Sequence, residues 1–129
     1  MAITLGTTAQ GNAAEGVRTT LNTGGTFVIY DGTPPANAQA ALSGNNVLAT
    51  HTLPTFTRSG GTVTAGAFSD ATISGTGAAT FFRCIVGTAQ IQGSVGLSGS
   101  GADAIVNSTS YTSGGTSQVT SMAFTMPAS

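Results

Sequence analysis

Gly-Gly-Thr occurs three times, at Gly24, Gly60 and Gly114, and each copy stands just before a Thr-rich or apolar segment. The apolar residues themselves come in short bursts, such as Thr26-Phe27-Val28-Ile29-Tyr30 and Phe81-Phe82-Arg83-Cys84-Ile85-Val86. Glycine pairs mark turns, whereas Thr and Val favour strands. A chain cut this often cannot build long helices, so the pattern predicts an all-β fold. The intervals of 36 and 54 residues between the glycine pairs differ, so one turn solution is reused rather than a true repeat.

Seven or eight short strands are expected in the 129 residues, arranged as a β-sandwich or jelly-roll-like domain. One domain spans 1–129. Asn12 to Leu21 is the exception to the β pattern. Ala13, Val17 and Leu21 recur at four-residue spacing on one helical face. Asn12 stands as N-cap with Glu15 in capping-box position, and Gly24 ends the segment. This single short N-terminal helix must pack on a sheet to persist.

Strands are expected at Thr26–Tyr30, Val47–Leu53 and Thr62–Thr64, and a further one over Phe68–Ser74 anchored by Phe68 and Ile73. Others follow at Ala79–Val86, Ile91–Leu97, Ala104–Asn107 and Gln118–Met126. Continuous apolar character in the first predicts burial on both faces. In Ala79–Val86, the residues Phe81, Arg83 and Ile85 face one way and Phe82, Cys84 and Val86 the other. The turn at Gly87 makes this segment and the next the clearest hairpin. Pro34-Pro35 stops any ladder, and Ala36–Leu42 reads as one helical turn in a crossing loop. The expected core includes Phe27, Ile29, Phe82, Val95, Phe124 and Met126.

Gly, Ala, Thr and Ser fill 74 of the 129 positions. Charge is scarce: Glu15, Asp31, Asp70 and Asp103 face only Arg18, Arg58 and Arg83, for a net charge of -1. Three scattered arginines make no patch for phosphates, which argues against direct nucleic-acid binding and against an anionic membrane surface. No apolar run approaches bilayer-spanning length. Met1 to Gly11 carries no basic residue and no apolar core of a secretory leader. So little charge gives weak protection against self-association, and the strand edges read as unprotected and charge-free. The protein is thus expected to work within an assembly.

Candidate chemistry is thin. His51 is the sole histidine, and it lies mid-strand among Thr and Ala, where an ordinary hydrogen bond is its expected role. One His and one Cys 33 positions apart lack zinc-ligand clustering, the acids form no calcium loop, and no glycine run has a phosphate-loop lysine. No catalytic, metal or cofactor-binding residue is assigned, no cofactor is expected, and the chain is not read as an enzyme. Cys84 is expected inside as a small hydrophobe. Arg83, in the middle of the best strand, must face solvent, pair with an acid, or contact another subunit through its planar fork. Arg83 and Tyr111 are the two candidate interface residues.

Met1 to Leu5, the helix to Leu21, the Tyr30-to-Ala36 turn, the Val47–Leu53 strand and Phe81-Phe82-Arg83 together resemble a family of small phage virion structural proteins. Gly93-Ser94-Val95-Gly96 and the closing Gly114-to-Ser129 segment extend the likeness over nearly the whole chain. Gly11 and Gly16 depart from it, since that family is richer in Ala and Leu there. The resemblance implies a head decoration or cement protein, encoded among head and tail genes, with no catalytic residues to carry over. The expected place is the capsid surface of a virion assembled in the host cytoplasm. The major capsid protein is the expected partner, with self-association as a homotrimer at symmetry axes. A tail or neck component, or a glycan-binding tip module, remains the alternative.

Overall fold

The computed structural model describes residues 6–125. Helix α1 (Thr7–Leu21) leads into β1 (Thr26–Tyr30), β2 (Val47–Thr52), β3 (Phe56–Ser59), β4 (Thr62–Ala65), β5 (Ala71–Thr72) and β6 (Gly77–Ala78). Then come β7 (Phe81–Val86), β8 (Ala89–Gly96), β9 (Ala104–Val106), β10 (Ser110–Tyr111), β11 (Thr116–Ser117) and β12 (Val119–Thr125). The fold is all-β with one N-terminal helix packed on the sheet.

Eight strands join in the order β2-β1-β7-β8-β9-β12-β4-β3. The sheet curls, sandwich-like, so that one face of every strand meets a common core. The remaining strands form two small ladders, β10-β6 and β11-β5. Among the described residues twelve strand segments replace the seven or eight expected. The expected Phe68–Ser74 strand shrinks to β5, while β3 and the two-residue β6, β10 and β11, too short to show apolar alternation, add to the count.

The centre is β1 against β7. Phe27 stacks on Phe82 with ring centroids 4.6 Å apart, and Phe68 meets Phe27 edge-on at 4.9 Å. Ile29, Cys84, Val63, Phe56, Val95 and Met122 complete this core, with Phe124 half-buried against it. Met126 lies outside the described residues. The other face of β1 and β7 is buried too, through Val28, Tyr30 and Phe81, so the two-sided burial expected of β1 holds.

Four local expectations are corrected. The helix begins at Thr7 with Gly6 as N-cap and no side-chain cap bond, so Asn12 lies inside it. Glu15 makes no capping box; its carboxylate takes hydrogen bonds from Arg18 and from Arg58. Ala14, with Val17 and Leu21, faces the core, while Ala13 is exposed. Residues 36–42 form a turn closed by Ala40 N–H to Asn37 C=O, with no helix. In β2 a bulge opposite Ile29 and Tyr30 skips Leu48, which lets adjacent Leu48 and Ala49 both bury.

The sheet edges are also less open than composition suggests. Asn22 acts as a one-residue strand mimic at the β3 edge, donating to the Phe56 carbonyl at 3.1 Å and accepting from its N–H at 2.8 Å. At the β2 edge, the N–H groups of Ser74 and Gly75 donate to the Leu48 carbonyl. Side-chain and loop donors thus blunt the ends that would otherwise template pairing.

The step from β8 to parallel β9 uses only residues 97–103, shorter than the dozen or so residues parallel strands usually need. Asp103 holds this tight return. Its carboxylate accepts from the Ser94 N–H and hydroxyl, and its own N–H donates to the Ser94 oxygen.

Gly16 sits mid-helix, where glycine costs about 1 kcal/mol against alanine, and an added Cβ there meets nothing within 4 Å. Gly16→Ala should therefore raise the thermal midpoint by a few degrees. Gly25→Ala should lower it, since its Cβ would run into the Ile85 carbonyl oxygen and the Val86 side chain. Thermal melts followed by circular dichroism check both signs.

Candidate functional site

Residues 33–46 cross the outer face of β1 and β7 as a strap. Its root is closed by Asp31, whose carboxylate accepts from the Asn46 N–H at 2.7 Å and from the Asn46 side chain. Those bonds hold the Asp31 carboxyl below its ordinary pKa. Asn45 ties the same root by donating to the Asp31 and Thr33 carbonyls. Further along, the strap presents carbonyl oxygens to the sheet. Gln92 donates to Pro35 C=O at 2.9 Å, and Pro35 is suited to this place because it offers an acceptor without an N–H to satisfy.

Arg83 lies beneath this strap, 4% exposed. Its Nη2 donates to Ala40 C=O at 2.7 Å and to Asn37 C=O at 3.3 Å. Its Nε donates to Gln92 Oε1 at 3.0 Å, and Nη1 reaches Gln90 Oε1 at 3.4 Å. None of these partners is a carboxylate. The expected solvent face, acid pair or subunit contact thus gives way to an internal role. The planar fork gathers neutral acceptors from strand β8 and from the strap itself, which fixes the strap over Val28, Tyr30 and Phe81.

The second polar centre is buried on the core side. His51, 1% exposed, places Nδ1 2.9 Å from the Ser69 carbonyl and Nε2 2.8 Å from the Ser117 hydroxyl. Ser117 in turn lies 2.9 Å from the Tyr111 hydroxyl. A carbonyl only accepts, so this network assigns the proton of the neutral ring to Nδ1. Nε2 then accepts from Ser117, and Ser117 accepts from Tyr111. Burial pushes the His51 pKa below its ordinary value, against the Ser69 hydrogen bond and the nearby Asp70 charge, which favour the cation. Burial likewise raises the Tyr111 phenol.

Tyr111, the other candidate interface residue, is 2% exposed and ends this chain of hydrogen bonds rather than meeting a neighbour. A serine bonded to a histidine has the outline of an activated nucleophile. Here Ser117 and His51 are both sealed in the core, so no substrate reaches either atom. Sequence reading singled out His51 and Tyr111 but missed Ser117, which is one serine among 13 and carries no local mark.

Cys84 is buried, and burial pushes its thiol up to about 12, far from a reactive thiolate. It lies at the floor of a groove of about 380 Å³ between α1 and the β7-β8 hairpin, lined also by Gly16, Val17, Val86 and Ile91. The other two arginines are held at Glu15, whose carboxyl the hydrogen bonds from Arg18 and then Arg58 lower to about 2. No group of three or more potential metal ligands occurs among the described residues. Every aromatic side chain is buried or half-buried.

One surface is regular and uncharged. On the solvent side of β12, β4 and β3, Ala123, Thr64 and Thr57 lie in one cross-strand row and Thr125, Thr62 and Ser59 in the next. Thr62 and Thr125 share a hydroxyl hydrogen bond of 3.0 Å, and no residue in either row carries charge. Arg58, on the same strand β3, points the other way to Glu15.

No protein-family model, no curated protein and no solved structure matches this chain.

Three substitutions probe these two centres. Ser117→Ala leaves both His51 Nε2 and the Tyr111 hydroxyl without their partner, and should cost about 2–3 kcal/mol; Tyr111→Phe removes one terminal donor and should cost about 1 kcal/mol. Urea unfolding gives the order directly, and equal costs would refute the assigned chain. Arg83→Met strips donors from the Asn37 and Ala40 carbonyls. It should speed proteolytic cleavage within residues 33–46, measured against wild type at a temperature where both stay folded.

Proposed function

We propose that this chain is a structural subunit of a phage virion: a decoration or cement protein on the head exterior that binds the major capsid protein at capsomer junctions. The observation that carries the reading is the uncharged, hydroxyl-rich solvent face of β12, β4 and β3. A sheet face without charge packs against a symmetry-related or neighbouring subunit without like-charge repulsion or the desolvation of ions. Its hydroxyls rotate to serve as donor or acceptor, so they accommodate the small differences between quasi-equivalent sites.

The polar chemistry of the chain supports the same reading. Arg83 and the His51 network are spent on internal cohesion, and Arg18 and Arg58 on Glu15. The mechanism is mass action. A subunit that binds the assembled shell alone stabilises it by an amount that grows with the logarithm of its free concentration relative to its dissociation constant, repeated at every junction.

Light scattering at several concentrations tests the assembly. A trimer is the expected result and fits threefold positions. Rings of five, six or twelve copies would move the protein to the tail or neck, and a monomer throughout would refute self-association. Thr64→Lys and Thr125→Asp place charge on the proposed face. Each should weaken assembly at least about tenfold, equivalent to ~1.4 kcal/mol, with the thermal midpoint of the folded chain unchanged.

A further inference from the structure

The segments that carry β5 with β6 and β10 with β11 pair only with each other, outside the eight-stranded sheet. Ile73 and Gly115 join them through N–H to C=O bonds at the turn, as do Gly114 and Ile73. They are anchored to the main sheet through Ser74 and Gly75 at the Leu48 carbonyl, and through His51. That one side chain, standing on β2, reaches Ser69 before β5, Ser117 in β11 and, through Ser117, Tyr111 in β10.

We propose that this pair of ladders is an acid-responsive flap, closed over the core by neutral His51 and released when the imidazole takes up a proton. The geometry leaves the protonated state one acceptor short. A protonated ring carries N–H groups on both nitrogens. Nε2 would then point a hydrogen at the Ser117 oxygen, which already accepts from Tyr111. The Ser117 hydroxyl proton loses its acceptor, and turning it onto the Tyr111 oxygen displaces the Tyr111 proton in the same way. One buried donor is left unpaired whichever way the chain runs, and a charge is added in a nearly dry site.

The surroundings do little to hold that charge. From β1 the Phe27 ring faces the imidazole edge-on, and from the loop before β5 the Phe68 ring does the same, each at 6.0 Å. From β10 comes the Tyr111 phenol, which burial keeps neutral. Asp70 is the charged group beside the site and favours the imidazolium, but it is exposed and takes a hydrogen bond from Gln118. The three arginines are engaged elsewhere.

The sign follows from burial, which lowers the His51 pKa in the closed state. An opened flap returns the ring to an ordinary value of about 6.5. Closure is therefore fully stabilised above that pH and weakens as pH falls below it. The opening constant should rise by up to about tenfold between pH 7.5 and pH 5.5. His51 is the sole histidine, the side-chain type that ordinarily titrates in this window.

Amide hydrogen exchange on the full chain, corrected for intrinsic rates, tests this at the two pH values. The amides of Ile73, Ser74 and Gly114 should lose up to about tenfold of their protection at pH 5.5, while Phe82 and Cys84 in β7 keep theirs. His51→Gln should retain a bond to Ser117 without titrating, and its flap amides should be indifferent to pH. Flap protection unchanged in the wild type, the same loss in His51→Gln, or an equal loss in β7 would each overturn the proposal. Should His51→Gln fail to fold, ring titration of wild-type His51 by NMR decides: a midpoint below 6.5 supports the flap, and one at or above it refutes it.

Discussion

The stack of Phe27 on Phe82 across β1 and β7 is the contact on which the rest of the molecule is built. Ile, Leu, Val and Phe supply only 26 of 129 residues, so large apolar groups must be concentrated where several layers meet. Phe68, Ile29, Cys84 and the helix residues Ala14 and Leu21 gather around that stack. Small residues elsewhere let the sheet curl until strands from both of its ends share this one centre. Aromatic pairs of this kind contribute about 0.5–1.5 kcal/mol beyond their buried area, which matters in a chain so poor in alternatives.

Polar groups then do work that a larger apolar core would otherwise do. Arg83 draws the strap of residues 33–46 onto the outer face of β1 and β7, and His51 draws the two short ladders onto the inner face. Among the described residues no buried side-chain nitrogen or oxygen lacks a hydrogen-bond partner. That completeness is needed, because one broken link leaves a desolvated group that costs about 1–3 kcal/mol. The two centres differ in consequence. Arg83 holds the strap through several neutral acceptors at once. Histidine is the side-chain type that ordinarily titrates near neutral pH, so under the proposed flap the attachment of the ladders depends on pH.

The strands with period-two alternation were legible from the chain. Phe81–Val86 splits its faces as expected and returns through Gly87, where a positive φ of 59° suits glycine. Two-sided burial of Thr26–Tyr30 followed from its unbroken apolar run. The errors have local causes. The N-cap lies six residues before Asn12, at Gly6, and it forms no capping bond that a motif could reveal. The four-residue spacing chose Ala13 over Ala14, although a helical face steps by three as well as four. Leu48 and Ala49 bury side by side through a bulge that no spacing in the sequence marks.

Sequence alone determined the class of fold, the principal hairpin, the aromatic core and the scarcity of charge, because these depend on residue type and short-range spacing. It left Arg83 and His51 as side chains in need of partners. Tertiary structure decided which partners they took: backbone carbonyls at Asn37 and Ala40 for one, Ser69 and Ser117 for the other. The reason is physical. A carbonyl is present at every position and a serine hydroxyl at many, so neither leaves a mark in the sequence. Only the path of the chain brings residues 43 and 66 positions apart within hydrogen-bond distance.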